Sequence, residues 1–551
     1  MSRVIDHEYE TDVVIAGGAL TGMWAGIRAK ELDPSATVIV VDKATAGKSG
    51  CVAFAGGDIT CVTPEDDLAA LIERYAKNGA GLAENDWIEL ALVGSYDRVQ
   101  DMAKWGVPFE RNKDGRLKRY GGRGGGALAV VMPGYKLMDN VRSVAKGKGV
   151  RFIDRVTIVD ILKDENGAVN GAWGYNPQTD KTYLFKAPSV VISTGPCTFK
   201  SSFIGHRMVT GDGVVTAYRH GAKLMGMEFA VGHNTGPHDY DISGLARFTA
   251  LGGKFTNAFG EEFIEKYDSE LKNNTNWGTL AYAMTMEVRA GRGPIYFDLM
   301  DMHKENLELS RRIIPHTFKT LDRAGIDISK QRVEWIPCFQ GSLACAAGID
   351  ITMKFETDIP GLFAAGDAGA RRWYGAEAGY HGINLAWCCV SGYHSGEAAI
   401  KFSKDTDLKP IDESALRGSM ESVLELLKRK NGIDSQEATV KVQKILFPPD
   451  VAIIKTRETL INAVEKLAAL KEEIHHTIFA TDGHELIKTV EARNMVVLAE
   501  MIVKSALLRE ESRGCHFRGD YPEKDDSRFK RWSYLQQGDK GEIRLWLGPL
   551  A

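Results

Sequence analysis

The sequence predicts an α/β fold, and three features predict it. Thr11 to Lys43 reads as strand, glycine turn, helix, strand. Ser189 to Thr194 and Ile351 to Asp367 read as further buried strands of the same sheet. Asp412 to about Leu508 is helical by periodicity, which adds a helical C-terminal domain.

Within the first unit, Val13 to Ala16 is an apolar strand and Gly17-Gly18-Ala19-Leu20-Thr21-Gly22 a tight turn. A helix through Trp24, Ile27 and Leu32 leads to a second strand, Val38 to Val41, which ends at Asp42. This Rossmann-like βαβ unit has the length of a dinucleotide site. Its backbone N–H groups and helix N-terminus would meet a pyrophosphate. Asp42, about twenty residues past the last glycine, would accept from a ribose diol. Ala19 stands where the middle glycine of GxGxxG belongs, so the backbone should approach the phosphates slightly less closely.

The 551 residues allow two or three domains. A net charge of −4 gives no reason to expect nucleic acid or an anionic membrane as partner. The polar start, MSRVIDHEYET, lacks a secretory pattern, and no run of about eighteen apolar residues occurs. Both point to a cytoplasmic protein without direct membrane insertion. Eight cysteines are scattered without a CxxC, which argues against a metal or iron–sulfur site built by this chain alone. Buried thiols are the expected state.

After Asp42, the small residues around Ser49, Gly50, Gly56 and Gly57 can lie flat against a planar ligand. Asp66 to Trp105 has helical spacing, and Trp105 to Gly126 reads as a hairpin and then a glycine-rich loop. Arg119, Arg123 and Lys136 make that loop positive, either as a solvated segment or as a contact for phosphate or carboxylate. A meander follows from Val150 to Lys186, and Thr194-Gly195 closes the next strand. Thr210 to Asp212 opens a helix, where an N-cap is the ordinary role. From His233 to about Trp335 the chain reads as a smaller α+β domain inserted into the first, and Gly375 to Ala398 as a glycine-rich loop entering a long apolar helix.

Taken together, GGALTG with Asp42-Lys43, KSGCVAFAGG, TGDGVVTAYRHGAKLMGMEF, HNTG, GGKFTNAFGEEF, EVRAGRG, GLFAAGD, YHGIN and ESRGCHFR resemble the flavoprotein subunit family of fumarate reductase, succinate dehydrogenase and adenylylsulfate reductase. The matches run in order along almost the whole chain. The resemblance implies an FAD-binding domain (1–235 and 336–408), a capping domain (236–335) and a helical C-terminal domain with its tail (409–551). It implies FAD at Gly17, Gly18, Ala19, Gly22, Asp42, Lys43, Ser49, Gly50, Gly56, Gly57, Val156, Thr194, Gly195, Asp212, Asp367, Asn384 and Leu385. In the membrane succinate and fumarate enzymes a histidine of an RSHT segment is bonded to FAD. The matching residue is Gly50, so FAD should be held non-covalently.

The same resemblance assigns Arg289 as the proton-donating arginine and His233 as the substrate-side histidine, with His381 and Tyr380 as further catalytic candidates. Two departures stand out. HGANR reads His381-Gly382-Ile383-Asn384-Leu385 here, and a further histidine is replaced near Leu343. Without the arginine clamp, succinate and fumarate are not the expected substrates. Arg371 to Tyr374 either replace the clamp or form an exposed loop, and Glu510, Glu511 and Arg513 would form an ion pair that docks the tail. The expectation is an FAD oxidoreductase subunit that moves a hydride or electron pair between a small organic substrate and a separate, ferredoxin-like iron–sulfur subunit. Such a protein would work in an oligomer and could reach a membrane through its partner. The alternatives are a non-catalytic FAD-bound electron conduit and an adenylylsulfate-reductase-like subunit.

Overall fold

The computed structural model describes residues 5–202, 205–242, 245–377 and 379–550. The organising layer is a five-stranded parallel sheet. Its first strand, β1 (Val13–Ala16), passes through α1 (Leu20–Leu32) into β2 (Val38–Asp42). Two helices come next, α2 (Leu68–Asn78) and α3 (Asn85–Lys104). The sheet then gains β3 (Arg151–Asp154) and β4 (Ser189–Ile192). After α4 (Asp212–Arg219) the chain leaves the sheet for β5 (Gly232–Pro237), β6 (Lys254–Thr256), α5 (Trp277–Arg289), β7 (Tyr296–Asp298) and β8 (Val333–Gly341). It returns through β9 (Leu362–Ala364) into α6 (Ile383–Lys404) and reaches a long helix, α7 (Gly483–Leu508). The sheet order is β9-β4-β1-β2-β3.

β1 and β9 are apolar at every position, and β2 and β4 at all but one, because both faces are covered there, whereas the edge strand β3 carries Arg151 and Asp154. Val13 and Ile15 face a core formed with α1 and α6, while Val14 and Ala16 face the opposite one, shared with the meander and the helical region. α1 and α6 cross at close range. A Cβ on Gly392 would stand 2.4 Å from the Thr21 carbonyl oxygen, and one on Gly396 2.1 Å from that of Ala25. That approach brings the start of α6 to the glycine turn.

The inserted strands form an antiparallel sheet, β5-β8-β7-β6, over a separate core containing Phe255, Phe297, Leu280 and Trp335. β5 and β8 run across the expected limits at 235/236 and 335/336.

Three features add to the sequence reading. The helical stretch Asp66–Trp105 is divided into two helices, because Gly79 caps the first and Ala80 and Gly81 turn with positive φ. His7–Glu10 adds a strand parallel to Lys181–Lys186 at the edge of the meander. The tail is a hairpin, Trp532–Gln537 with Ile543–Gly548, paired back onto Leu224–Met225. Glu511 does hold Arg513 and Arg509 in a fully buried ion-pair group, while Glu510 pairs instead with Arg457 and Arg528. Among the described residues no helix is long and apolar enough to cross a membrane.

Candidate active site

The carboxyl ends of β1, β2, β4 and β9 open onto one cavity of about 880 Å³, solvent at its mouth included. A second cavity, of about 960 Å³, lies under the inserted sheet. Cys51, Val52, Asp367 and Cys388 line both, so the two are halves of one elongated site.

The first half is built by the glycine turn. Gly17 has φ +108°, and a Cβ there would lie 2.3 Å from the Ser193 carbonyl oxygen. A Cβ on Gly22 would reach the Gly17 oxygen at 2.0 Å, so this glycine seats α1 on the turn and does not line the cavity. Ala19 does line it, as the N-cap of α1, so its methyl is accommodated. Asp42 accepts from Gly18 N at 2.8 Å and Ala44 N at 2.7 Å, which fixes its carboxylate at the rim. Lys43, Ser49, Gly50, Val156, Thr194, Gly195 and Asp212 complete the wall. Among the described residues Thr194 Oγ1 is buried without a hydrogen-bond partner, a group that awaits a ligand. A Cβ on Gly50 would meet nothing within 4 Å, so the site keeps open space there and offers no side chain for a covalent link.

Lys43 binds Asp212 at 3.0 Å and Glu491 of α7 at 2.8 Å. Burial pulls its ammonium group down, but the two carboxylates outweigh this and hold it above its ordinary value. For Asp212, burial acts upward while Lys43 and Asn494 pull harder, and its carboxyl ends below the usual range. Lys43 and Asp212 therefore fix the rim as an ion pair.

At the junction Asp367 is largely enclosed and ion-paired with Arg371; burial raises its pKa against the pull of that guanidinium. Arg371 and Arg372 belong neither to an exposed loop nor to a clamp. Arg371 is fully buried on Asp367 and the Ser342 carbonyl, and Arg372 pairs with Glu84 and Asp350. Tyr374 donates to Asn384 Oδ1 at 2.6 Å, orienting the amide at the cavity edge.

The second half takes in Gly56, Gly57, Tyr380, His381, Asn384 and Leu385. It also takes in six polar or aromatic residues that sequence reasoning did not single out for the site or weighed only as loop charge: Asp58, Arg123, His206, Asn234, Trp277 and Gln340. Among the described residues Tyr380 Oη, Trp277 Nε1 and Gln340 Oε1 are buried without partners. His206 is bonded through Nδ1 to Ser201 Oγ at 2.8 Å, and burial pushes its pKa down to about 3, so it is neutral at pH 7. Burial, then Glu377, holds the Tyr380 phenol well above its ordinary value and keeps it protonated.

Two assignments are corrected. His233 does not line the cavity. Successive residues of a strand face opposite ways, so Asn234 points in while His233 packs edge-on against Phe339, with ring centroids 5.5 Å apart. Arg289 is exposed at the last residue of α5 and lines neither half. In the same segment Arg292 turns back onto the buried Glu287 at 2.7 Å.

Residues 12–386 match the family model described as FAD binding domain, and residues 441–551 that described as fumarate reductase flavoprotein C-term. The chain belongs to the fumarate reductase and succinate dehydrogenase flavoprotein family. It is an FAD-dependent oxidoreductase flavoprotein, and the glycine turn, Asp42 and the orphaned Thr194 hydroxyl fit that cofactor. A fumarate reductase (CoM/CoB) subunit from Methanothermobacter marburgensis is 27% identical over 541 residues, spanning 94% of this chain and 95% of the relative. The mitochondrial succinate dehydrogenase [ubiquinone] flavoprotein subunit of Oryza sativa is 27% identical over 99% of this chain and 91% of its own. Among solved structures, E. coli quinol fumarate reductase superposes with a TM-score of 0.91 at 22% identity, covering 99% of this chain and 97% of that one. Adenylylsulfate reductase from Archaeoglobus fulgidus gives 0.81 at 22%, covering 100% and 97%. These structures share this flavoprotein's fold.

Proposed function

We propose that this flavoprotein is a subunit that exchanges an electron pair between a small organic substrate other than succinate or fumarate and a separate iron–sulfur carrier. The observation that carries this is the continuous two-part site: a dinucleotide cradle at the sheet, joined through Asp367 to a second chamber with unpartnered polar groups. Several relatives are themselves named as subunits, which supports an external electron partner. When bound, FAD supplies the hydride and electron-pair chemistry.

The chain's own residues then have distinct tasks. The first-turn N–H groups of α1 face the pyrophosphate, and Asp42 accepts from the ribose. Asp367, Asn384 and Gly57 position the ring end of the cofactor. Trp277 Nε1 donates to an acceptor atom of the substrate, and the Gln340 carbonyl oxygen accepts from a donor. Tyr380 holds a proton on Oη, and His206 offers a neutral imidazole in the wall of the same chamber. Gly50 leaves the cofactor non-covalent.

The test is an anaerobic absorbance spectrum of the purified protein, before and after acid precipitation, titrated with small organic acids. Flavin is expected in the acid supernatant and bleaching or reoxidation by one organic acid. Tyr380→Phe is expected to slow that response about 100-fold with FAD content unchanged. Flavin in the pellet would refute the non-covalent assignment. A response to adenylyl sulfate alone would replace the organic substrate with a sulfur nucleotide. FAD that answers no substrate would leave an electron conduit.

A further inference from the structure

Away from the flavin site, a cavity of about 710 Å³, open solvent included, lies where α4, α7, the helix Arg457–Thr477 and the turn end of the tail hairpin meet. Arg219, Lys471, His475 and Arg493 stand in its wall, and among the described residues no carboxylate lines it. Lys471 is taken up by Glu500 at 2.8 Å. Arg219 and Arg493 are not so held. Among the described residues neither forms an ion pair, and Arg493 donates only from Nη1 to the Ser422 carbonyl, at a long 3.4 Å. The two guanidiniums stand close enough to repel each other. Tyr218, 2% exposed, lines the same cavity, and its Oη is buried without a hydrogen-bond partner. Burial, then Glu500 and Glu542, push that phenol up to about 12, so it stays a donor. The acids that act on these three groups are bonded elsewhere. Lys471 and Lys504 hold Glu500, and Arg544 holds Glu542. His220 and Ser419 hold Asp160, Lys43 holds Asp212, and Arg429 holds Glu425.

We infer that this cavity is a regulatory anion site, built for a phosphate monoester with an apolar body. Three underused donors, the Arg219 and Arg493 guanidiniums and the Tyr218 hydroxyl, match the three terminal oxygens of one phosphoryl group. Ile474 and Val496 in the same wall suit an apolar ester group. An anion between the arginines removes their repulsion and joins α4 to α7. Those two helices also carry Asp212, Glu491 and Asn494, the groups that fix the Lys43 rim of the cofactor cavity. Occupancy therefore tightens the hold on FAD, and by linkage FAD tightens the anion.

The experiment is a calorimetric titration of the FAD-loaded protein with phenyl phosphate, with inorganic phosphate and succinate as comparisons. Phenyl phosphate is expected to bind with a Kd below about 1 mM. Arg219→Gln and Arg493→Gln are each expected to raise that Kd at least about 10-fold, and Tyr218→Phe about 5-fold, with FAD content unchanged. Saturating phenyl phosphate is expected to slow FAD release from the diluted wild-type protein about threefold and to leave release from Arg219→Gln unchanged. No binding up to about 10 mM phenyl phosphate overturns the site, and so does an unchanged Kd in both arginine variants. Succinate or inorganic phosphate binding as tightly overturns the monoester assignment, and FAD release that ignores the bound anion overturns the regulatory role. If Arg493→Gln sheds FAD, the exposed Arg219 decides through its own variant.

Discussion

His233 is buried between Phe339 and Lys455, and burial, reinforced by Lys455, pushes its pKa down to about 3 from an ordinary 6.5. The unfolded chain binds a proton at this residue below pH 6.5, and the folded chain does not until about pH 3. Its contribution to stability is therefore full above 6.5 and falls as the pH drops, by about 1.4 kcal/mol per unit within that window. His233→Gln should flatten the pH dependence of the urea midpoint between pH 6.5 and 5; equal slopes in the two proteins would show that His233 does not carry it. The same residue shows where sequence reading stops. The motif HNTG marks the strand, but whether His233 or Asn234 faces the cavity depends on strand phase, set by pairing with β8. Arg123 was ambiguous for a related reason: a glycine-rich loop looks solvated until another segment is seen lying on it.

At the scale of elements, the most legible feature was βαβ, because its signals are local: an apolar run, a tight turn, an acid at fixed distance. The tail hairpin was not legible, since its strands take their place from partners such as Leu224–Met225, far away in sequence. The α1–α6 crossing is a close-contact case. Gly396→Val would drive side-chain carbons into the Ala25 carbonyl, where a Cβ alone stands at 2.1 Å. Overpacking of this kind costs about 1–3 kcal/mol. Because the displaced helix carries Asn384, Leu385 and Cys388, the variant should both unfold at lower urea and lose FAD on gel filtration. Unchanged unfolding would mean that the helices separate without strain.

At the scale of the whole molecule, α7 reaches the cofactor cradle through charge. Glu491 takes Lys43 at 2.8 Å and also pairs with Lys200, while Asn494 Nδ2 donates to Asp212 at 2.9 Å. The C-terminal region is thus a clamp on the Lys43–Asp212 rim of the first cavity. Glu491→Gln should raise the FAD Kd about tenfold, corresponding to a coupling of about 1.4 kcal/mol, and leave ligand affinity at the second chamber unchanged in FAD-saturated protein. Equal FAD affinity in both proteins would reduce the clamp to a packing contact. The clamp joins positions 448 residues apart. A nascent chain displays the glycine turn and Asp42 early in synthesis, yet Glu491 emerges from the ribosome only near the end of translation. The full grip on the flavin therefore waits for the last part of synthesis, and chains truncated before α7 should bind FAD at least about tenfold more weakly than the full chain.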